Sequence, residues 1–354
     1  MRAATLRAPV PDQRARVLIV DDSAVARAVI GRVIGGSDGL MVAGEVQDVR
    51  TALEFLAREQ VDFILLDINL PGVDGVTALP DLIVAGGAAK VLIVSSSAAD
   101  GAQQTIQALA FGAADTLVKP TAGAFSANFA QALLDKLRRL GEPAGFVAPA
   151  PPVPPRAPTP RADAYDLVAI GASTGGIHAL SHLLRELRPG FRLPILITQH
   201  LPATFMPYFA AQLATLSGRP CDVATDRMRV RPGRLIVAPG DAHLCVAALP
   251  DGSACIRLSH APSQSGCMPS VDPMLASAAA AFGARAIGVV LSGMGRDGTD
   301  GARTLRAAGG AVVVQDQESS VVWGMPGAVA AAGLADIMLP PDAIGRLLAE
   351  RRRP

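Results

Sequence analysis

The residues with the clearest capacity for chemistry centre on a serine in the second half of the chain. Ser173 lies in Gly171-Ala-Ser-Thr-Gly175, a G-x-S-x-G pattern between an apolar run and a helical pattern. The flanking glycines permit a sharp turn that presents the hydroxyl, and free N–H groups at the helix start can stabilise an oxyanion. Ser173 is therefore a candidate nucleophile. A Gly-rich phosphate loop or a simple turn stays open, although neither G-x-G-x-x-G nor the P-loop pattern fits.

A serine nucleophile needs a base within hydrogen-bonding reach and an acid that orients the base. His200 directly follows the apolar run at residues 194–199, and Asp297 lies in the glycine-rich loop after the run at residues 286–291. If these runs are parallel strands of one sheet, the loops that follow them share one edge. The chain order Ser, His, Asp differs from the Ser, Asp, His order of α/β-hydrolases, so that fold is not predicted.

Other histidines and acidic residues have weaker contexts. His178 and His182 are one helical turn apart, and a metal pair is conceivable, but the H-E-x-x-H pattern is absent. We expect His243 to be structural or near the substrate. Asp300 is expected to cap a helix or lie on the surface, and the loop around Asp297 lacks the ligand spacing of a calcium loop.

A second group of chemistry-bearing residues follows successive apolar runs in the first half of the chain. These residues are Asp21, Asp22, Asp67, Ser95 and Lys119. Converging carboxylates repel one another unless a cation lies among them, and an all-oxygen site suits Mg²⁺. Asp67 could then attack phosphorus, while the metal and Lys119 neutralise the phosphoryl oxygens and Ser95 donates a hydrogen bond. Taken singly, Asp21 or Ser23 could instead cap a helix, and Asp67 could form a turn.

Both groups need parallel sheets to bring their members together. Five short apolar runs alternate with helical patterns between residues 17 and 140, which predicts a five-stranded doubly wound sheet with right-handed crossovers. The second half has similar apolar runs at residues 167–170, 194–199 and 286–291, and a helical pattern at 177–187. Ligands of such sheets lie beyond the carboxyl ends of the strands.

A proline-rich segment divides the chain. Eight of the 28 prolines lie between Pro143 and Pro160, where missing N–H groups and a fixed φ exclude helix and sheet. The expected domains are residues 15–140 and 164–354, joined by a semi-rigid linker over residues 141–163.

The composition excludes several classes of protein. Lys+Arg 32 against Asp+Glu 31 leave a net charge of +1, so nucleic acid is not an expected partner. The chain has neither a signal-peptide core nor an apolar run of membrane-spanning length, which predicts a cytoplasmic protein without membrane insertion. The four cysteines form no C-x-x-C pair, and we expect them to be reduced and buried.

The first half resembles a two-component response regulator receiver over about residues 15–140. The resemblance rests on Val17-Leu-Ile-Val-Asp-Asp-Ser23, Leu66-Asp-Ile-Asn-Leu-Pro-Gly-Val-Asp-Gly75 and Val118-Lys-Pro120. It implies a flavodoxin-like (β/α)5 fold and phosphorylation of Asp67 by a histidine kinase. It also implies Mg²⁺ held by Asp22, Asp67 and the Asn69 carbonyl, with Asp21 supporting through water. Thr116 stands where many receivers carry an aromatic residue that moves on activation.

The second half resembles the chemotaxis protein-glutamate methylesterases, the CheB family, from about residue 165 to 351. The matching stretches are Ile170-Gly-Ala-Ser-Thr-Gly-Gly176, Gln199-His-Leu-Pro202, Ala238-Pro-Gly-Asp-Ala-His-Leu244, Pro269-Ser-Val-Asp272, Leu291-Ser-Gly-Met-Gly-Arg-Asp-Gly298 and Trp323-Gly-Met-Pro326. The resemblance implies a doubly wound, mostly parallel α/β/α sandwich with a small antiparallel hairpin. It makes Ser173 the nucleophile, His200 the base and Asp297 its orienting partner. The Thr174 and Met294 amides become the oxyanion stabilisers, and no cofactor is expected in this domain.

The two resemblances together imply a phosphorylation-activated enzyme. Its substrates would be glutamate γ-methyl esters, and often particular glutamines, on methylated chemoreceptors. A chemotaxis histidine kinase would be the phosphodonor, and the unphosphorylated receiver would obstruct the active site. Two alternatives stay open: a non-catalytic adaptor or phosphate sink that binds chemoreceptors, and a hydrolase of some other ester.

Overall fold

The computed structural model of this chain describes residues 14–96, 99–119, 127–141 and 165–350. The proline-rich segment from Pro143 to Pro160 lies outside the described residues, and so does the side chain of Ser95. The expected domain limits therefore stay predictions.

The first half of the chain forms a parallel sheet with helices between its strands. The strands are β1 (Ala15–Val20), β2 (Leu40–Val46), β3 (Phe63–Leu66), β4 (Lys90–Ser96) and β5 (Asp115–Lys119). The helices are α1 (Ala24–Gly35), α2 (Val49–Leu56), α3 (Gly75–Gly86), α4 (Ala99–Phe111) and α5 (Ala127–Gly141). The strand order β2-β1-β3-β4-β5 is that of flavodoxin-like folds, so the predicted (β/α)5 architecture is confirmed.

The apolar runs of this sheet are buried because helices cover both of its faces. All four residues of β3 are buried, as are the last four of β1. The helix that follows β1 begins after Ser23, whose hydroxyl accepts a hydrogen bond from Ala26 N at 3.3 Å. Ser23 is therefore the N-cap of α1, and Asp21 remains available for the site.

The second half forms a seven-stranded sheet and a two-stranded hairpin. Its strands are β6 (Leu167–Ala172), β7 (Ile195–Gln199), β8 (Cys221–Val223), β9 (Leu235–Val237), β10 (His243–Ala248), β11 (Ala254–Ser259), β12 (Ala286–Val290), β13 (Ala311–Gln315) and β14 (Ile337–Leu339). Its helices are α6 (Gly176–Arg185), α7 (Met206–Ser217), α8 (Val271–Phe282), α9 (Thr299–Ala307), α10 (Met325–Ala331) and α11 (Pro341–Ala349). The antiparallel hairpin is β10–β11.

The seven-stranded sheet is parallel throughout, in the order β14-β13-β12-β6-β7-β9-β8. The second half of the chain starts at β6 and extends to one side of it through β7. It later returns and places β12 on the other side of β6. This reversal is a switch point, where loops on opposite sides of β6 leave a crevice for a ligand. The structure therefore confirms the predicted doubly wound sheet and small hairpin.

Candidate active site

The three predicted triad residues lie on loops that leave adjacent strands at the switch point. Ser173 follows β6, His200 follows β7, and Asp297 lies in the loop after β12. Because β6 pairs with both β7 and β12, these loops share one edge of the sheet. Ser173 and His200 both line a cavity of about 900 Å³.

The backbone around Ser173 is held tightly. Its N–H donates to Ser292 O at 3.0 Å, and its carbonyl accepts from the buried Gln199 side chain at 2.8 Å. A left-handed Gly175, with φ of 75°, then starts helix α6. Close packing also requires a glycine at residue 293, since a Cβ there would lie 2.7 Å from the Ser173 Cβ. The turn therefore presents the serine from a rigid frame.

The predicted base and acid form a hydrogen bond. His200 Nε2 lies 2.8 Å from Asp297 Oδ2, and the aspartate is 1% exposed. Because Nε2 binds the carboxylate, Nδ1 is the ring nitrogen left to accept the Ser173 proton. No hydrogen bond joins Ser173 Oγ to His200 in the described part of the chain, and such contacts commonly tighten only when substrate binds.

Asp297 stays ionised because its oxygens accept several hydrogen bonds. Burial would raise the pKa of this carboxyl, but His200, Val271 N and Ser270 Oγ bind the charged form and lower it well below its usual range. The Ser270 Oγ and Val271 N contacts are each 2.7 Å long. A fixed carboxylate of this kind orients the imidazole and stabilises the imidazolium that forms during attack.

The same environment acts on His200. Burial would lower the pKa of the imidazole, but hydrogen bonds with Asp297 and Cys267 raise it to about 9. The site therefore favours the protonated ring. The raised pKa stabilises the imidazolium that forms once the ring has taken the serine proton. It also lowers the fraction of His200 that is neutral and able to act as the base before that step.

The predicted oxyanion donors come from two loops at the cavity. Thr174 is the next residue in the turn, and Met294 follows Gly293 after β12; both line the cavity. Among the described residues, neither backbone N–H has a hydrogen-bond acceptor. Both amides are thus available to an incoming oxyanion, and their role stays a prediction.

The remaining polar candidates make other contacts. His243 is buried, accepts from Ser270 N at 2.9 Å and lies 2.8 Å from Ala261 O, which fits the predicted structural role. Asp300 lies in the first turn of α9 and pairs with Arg303 on the surface. The rings of His178 and His182 are 4.6 Å apart, and His178 Nδ1 lies 3.2 Å from Ala110 O.

The predicted phosphorylation site also forms at the edge of its sheet. Lys119 Nζ lies 2.6 Å from both Asp21 Oδ2 and Asp67 Oδ2, and one oxygen each of Asp21, Asp22 and Asp67 lies within 4.8 Å of the other two. Burial raises the pKa of Asp67, partly offset by Lys119 and by Asn69 N at 3.2 Å. These oxygen donors fit the expected Mg²⁺ site, because Mg²⁺ prefers carboxylate and carbonyl oxygens.

The first half of the chain contacts the edge of the second sheet that carries Ser173 directly. Asp115, at the start of β5, accepts from Thr174 Oγ1 at 3.1 Å, and the neighbouring Ala114 carbonyl accepts from Gly175 N at 3.0 Å. Lys90 Nζ, at the start of β4, donates to Val321 O at 3.0 Å. Residues of both domains line the cavity that holds Ser173. In the described arrangement the first half of the chain therefore covers part of the candidate site.

A family model described as CheB methylesterase matches residues 168–348, and one described as response regulator receiver domain matches residues 17–125. The chain belongs to the CheB methylesterase family. The predicted family is confirmed, and both matches lie inside the expected domains. No helix in the described residues is long and apolar enough to cross a membrane.

Several CheB relatives match over most of their length. The chain is 39% identical to protein-glutamate methylesterase/protein-glutamine glutaminase 1 of Paramagnetospirillum magneticum, covering 92% of this chain and 93% of the relative. It is 42% identical to the corresponding protein 2 of Caulobacter vibrioides, covering 96% and 99%. The crystal structure of the Thermotoga maritima CheB methylesterase catalytic domain is 37% identical, with a TM-score of 0.51, covering 52% of this chain and 98% of that one.

One residue of this CheB site, Cys267, was not predicted from the sequence. Cys267 lines the cavity beside His200, although we expected all four cysteines to be buried. All four are free, but only Cys255 is fully buried, so the burial part of the prediction was wrong. The available signal was position: Cys267 lies two residues before the matching stretch Pro269-Ser-Val-Asp272. Ser270 and Val271 of that stretch hydrogen-bond Asp297. Because Cys267 is close to them in the chain, these bonds place it near the site.

Proposed function

We propose that this protein hydrolyses glutamate γ-methyl esters on chemoreceptors and deamidates receptor glutamines, under the control of phosphorylation at Asp67. The observation that carries this function is the His200–Asp297 pair beside Ser173, on three adjacent strand ends. The relatives are named protein-glutamate methylesterase/protein-glutamine glutaminase, which is the same acyl chemistry on an ester and an amide.

The first half of the reaction forms an acyl-enzyme. His200 takes the Ser173 proton as Oγ attacks the γ-carbonyl carbon of the substrate, and Asp297 stabilises the resulting imidazolium. The Thr174 and Met294 amides bind the oxyanion of the tetrahedral intermediate. The intermediate collapses when His200 gives its proton to the leaving group, releasing methanol from an ester or ammonia from a glutamine.

The second half of the reaction returns the enzyme to its starting state. Water attacks the glutamyl ester of Ser173 while His200 removes its proton, and the same proton then returns to Ser173 Oγ. The product is a receptor glutamate. All of these proton transfers use one base, so losses of Ser173 and His200 are not expected to add.

Control by the receiver is supported by strand β5, which contacts both sites. At its start, Asp115 accepts a hydrogen bond from Thr174, next to the nucleophile. At its end, Lys119 binds the carboxylate of Asp67. A phosphoryl group on Asp67 would take Lys119 as its counter-ion, so phosphorylation changes the contacts of the strand that covers the site. Mg²⁺, held by oxygens of Asp22, Asp67 and Asn69, would neutralise the phosphoryl group when bound.

The expected partners follow from this chemistry, and the expected location follows from the cysteines. The phosphodonor would be a chemotaxis histidine kinase, and the substrates would be methylated chemoreceptors. We place the protein in the cytoplasm because its four free cysteines fit a reducing compartment.

The decisive experiment measures methanol release from a methylated receptor fragment, with and without a small-molecule phosphodonor and Mg²⁺. We expect the donor to stimulate release, Ser173→Ala to abolish it, and Asp67→Ala to keep a basal rate that the donor no longer changes. Ser217→Ala and the exposed Asp81→Asn serve as matched controls and should behave like the wild type. Folded, phosphorylated protein that releases no methanol from several receptors would favour a receptor-binding adaptor.

A further inference from the structure

Cys267 brings a thiol to the catalytic base. One ligand atom each of His200, Cys267 and Asp297 lies within 4.8 Å of the other two. Imidazole nitrogen, thiolate sulfur and carboxylate oxygen are the ligands that Zn²⁺ takes in proteins. This set differs from the all-oxygen group of the receiver, which suits Mg²⁺ and binds soft metals less well.

We propose that His200, Cys267 and Asp297 form a Zn²⁺ site that reversibly inhibits the enzyme. The ion would occupy the position of the proton between the histidine and the aspartate, with the thiolate as third ligand. Three protein ligands leave the fourth position of a tetrahedral ion to water or to the Ser173 hydroxyl.

The distances suit such a replacement. His200 Nε2 and Asp297 Oδ2 are 2.8 Å apart around their shared proton. Two ligand bonds of about 2.0–2.1 Å at a tetrahedral angle separate the donor atoms by about 3.3 Å. The pair must therefore open by only about half an ångström. The Cys267 sulfur already lies within 4.8 Å of ligand atoms of both residues.

Charge and support also favour the ion. The Cys267 thiolate and the Asp297 carboxylate together balance the charge of Zn²⁺, so the occupied site carries no net charge. Ser270 Oγ and Gly298 N bind the other carboxylate oxygen, at 2.7 and 3.1 Å, and hold it in place. Hydrogen bonds of this kind orient the ligands of natural zinc sites. The cavity lined by His200 and Cys267 provides the entry path.

Occupation of this site would stop the reaction at its first step. The nitrogen bound to Zn²⁺ no longer binds Asp297, so the imidazolium loses its stabilising carboxylate. The ion also adds positive charge beside a ring that must accept a proton. Metal binding itself does not require the chain to be an esterase, so the site goes beyond the proposed function.

Cobalt is the probe that identifies the ligands. Co²⁺ replaces Zn²⁺ in such sites, and a thiolate bound to it gives a charge-transfer absorption band in the near ultraviolet. The full chain is titrated with CoCl₂ in excess Mg²⁺, which fills the receiver site, and with a phosphine reductant. We expect the band in the wild type and in the control Cys245→Ser, and its loss in Cys267→Ser. His200→Gln, which keeps the thiol, should weaken the binding.

Zinc affinity and inhibition are measured on the same proteins. Competition with a chelating dye should show Zn²⁺ affinity reduced roughly tenfold or more in Cys267→Ser and unchanged in Cys245→Ser. The Zn²⁺ concentration that halves methanol release should shift by the same factor, and a chelator should restore the wild-type rate. Equal zinc affinity in Cys267→Ser and the wild type, or a thiolate band that survives in Cys267→Ser, would overturn the proposal. If the wild type releases no methanol, the proposed function fails, while the cobalt band still decides the metal site.

Discussion

Asp297 is oriented by buried hydrogen-bond donors, and Ser270 is the clearest of them. Its hydroxyl donates to Asp297 Oδ1 at 2.7 Å, and the serine is fully buried. We expect Ser270→Ala to leave the carboxylate with one donor fewer and to lower kcat/KM about 10- to 100-fold, since a hydrogen bond to a charged group is worth about 1.5–3 kcal/mol.

The measurement for this variant is a comparison of steady-state kinetics with Ser277→Ala. Ser277 lies on α8, where its hydroxyl donates to Met274 O at 2.9 Å and accepts from Val246 N at 3.0 Å. Among the described residues it makes no hydrogen bond to Asp297. A positioning role for Ser270 predicts a lower kcat with little change in KM. A rise in KM alone would show instead that Ser270 supports substrate binding.

The pH dependence of the reaction follows from the environment of His200. Because the hydrogen bonds with Asp297 and Cys267 outweigh burial, the pKa of this histidine is raised to about 9. A general base works only when deprotonated, so kcat/KM of the unphosphorylated protein should rise with pH up to about 9. Cys267→Ala removes one of the interactions that raise the pKa, so the rise should move to lower pH.

A pH–rate profile of the wild type and of Cys267→Ala, with Cys245→Ala as control, tests this shift. Equal profiles for Cys267→Ala and the wild type would mean that the thiol does not act on the base.

The placement of each proposed triad residue at a strand end was predictable from the sequence, since each residue directly follows or closely trails a strand-like run. The contact of Cys267 with His200 was not, because it depends on the path of a loop with no repeating pattern.

At the scale of elements, the catalytic turn depends on how closely two strand ends approach. A Cβ at Gly293 would lie 2.4 Å from Met325 Sδ and 2.7 Å from the Ser173 Cβ. We expect Gly293→Ala to displace Ser173, to destabilise the fold by about 1–3 kcal/mol, and to remove most of the activity. The control is Gly190→Ala, where a Cβ meets nothing within 4 Å.

Thermal denaturation and methanol release, measured on both glycine variants, test this prediction. Full activity in Gly293→Ala would show that the turn can move without loss of function.

The helices and strands themselves were largely predictable: the helix expected at residues 177–187 forms at Gly176–Arg185. It starts one residue earlier because Gly175 adopts a left-handed conformation that begins the helix, which a pattern of apolar residues does not report.

At the scale of the whole molecule, two domains predicted separately from the sequence share one cavity. Strand patterns report burial within a sheet and say little about which outer surface meets another domain. The contacts that join the domains include backbone groups, such as Ala110 O to His178 and Ala114 O to Gly175 N. Their sequence signal is weak, because any residue type supplies a carbonyl. The obstruction of the site by the receiver was therefore expected from family resemblance alone.

The strength of this docking can be tested at Asp115, whose side chain joins receiver and catalytic turn. Its Oδ2 accepts from Thr174 Oγ1 at 3.1 Å and lies 2.7 Å from Lys136 Nζ. Asp115→Ala removes the contact with Thr174, together with the ion pair to Lys136 within the receiver, and leaves Ser173 and His200 unchanged. Loss of a hydrogen bond worth about 1 kcal/mol should release the receiver and raise the unphosphorylated rate about fivefold. Stimulation by the phosphodonor should fall by the same factor, because the released form is already more populated.

Asp135→Ala is the matched control for Asp115→Ala, since it removes a carboxylate that lines the same cavity but pairs with Arg138 instead of contacting Thr174. Its basal rate should stay near that of the wild type. Methanol release by both variants, with and without phosphodonor, separates the two explanations of a faster rate. If both variants gain equally, the effect is the loss of negative charge near the site. If only Asp115→Ala gains, and its fully phosphorylated rate equals that of the wild type, the contact with Thr174 holds the receiver over the active site.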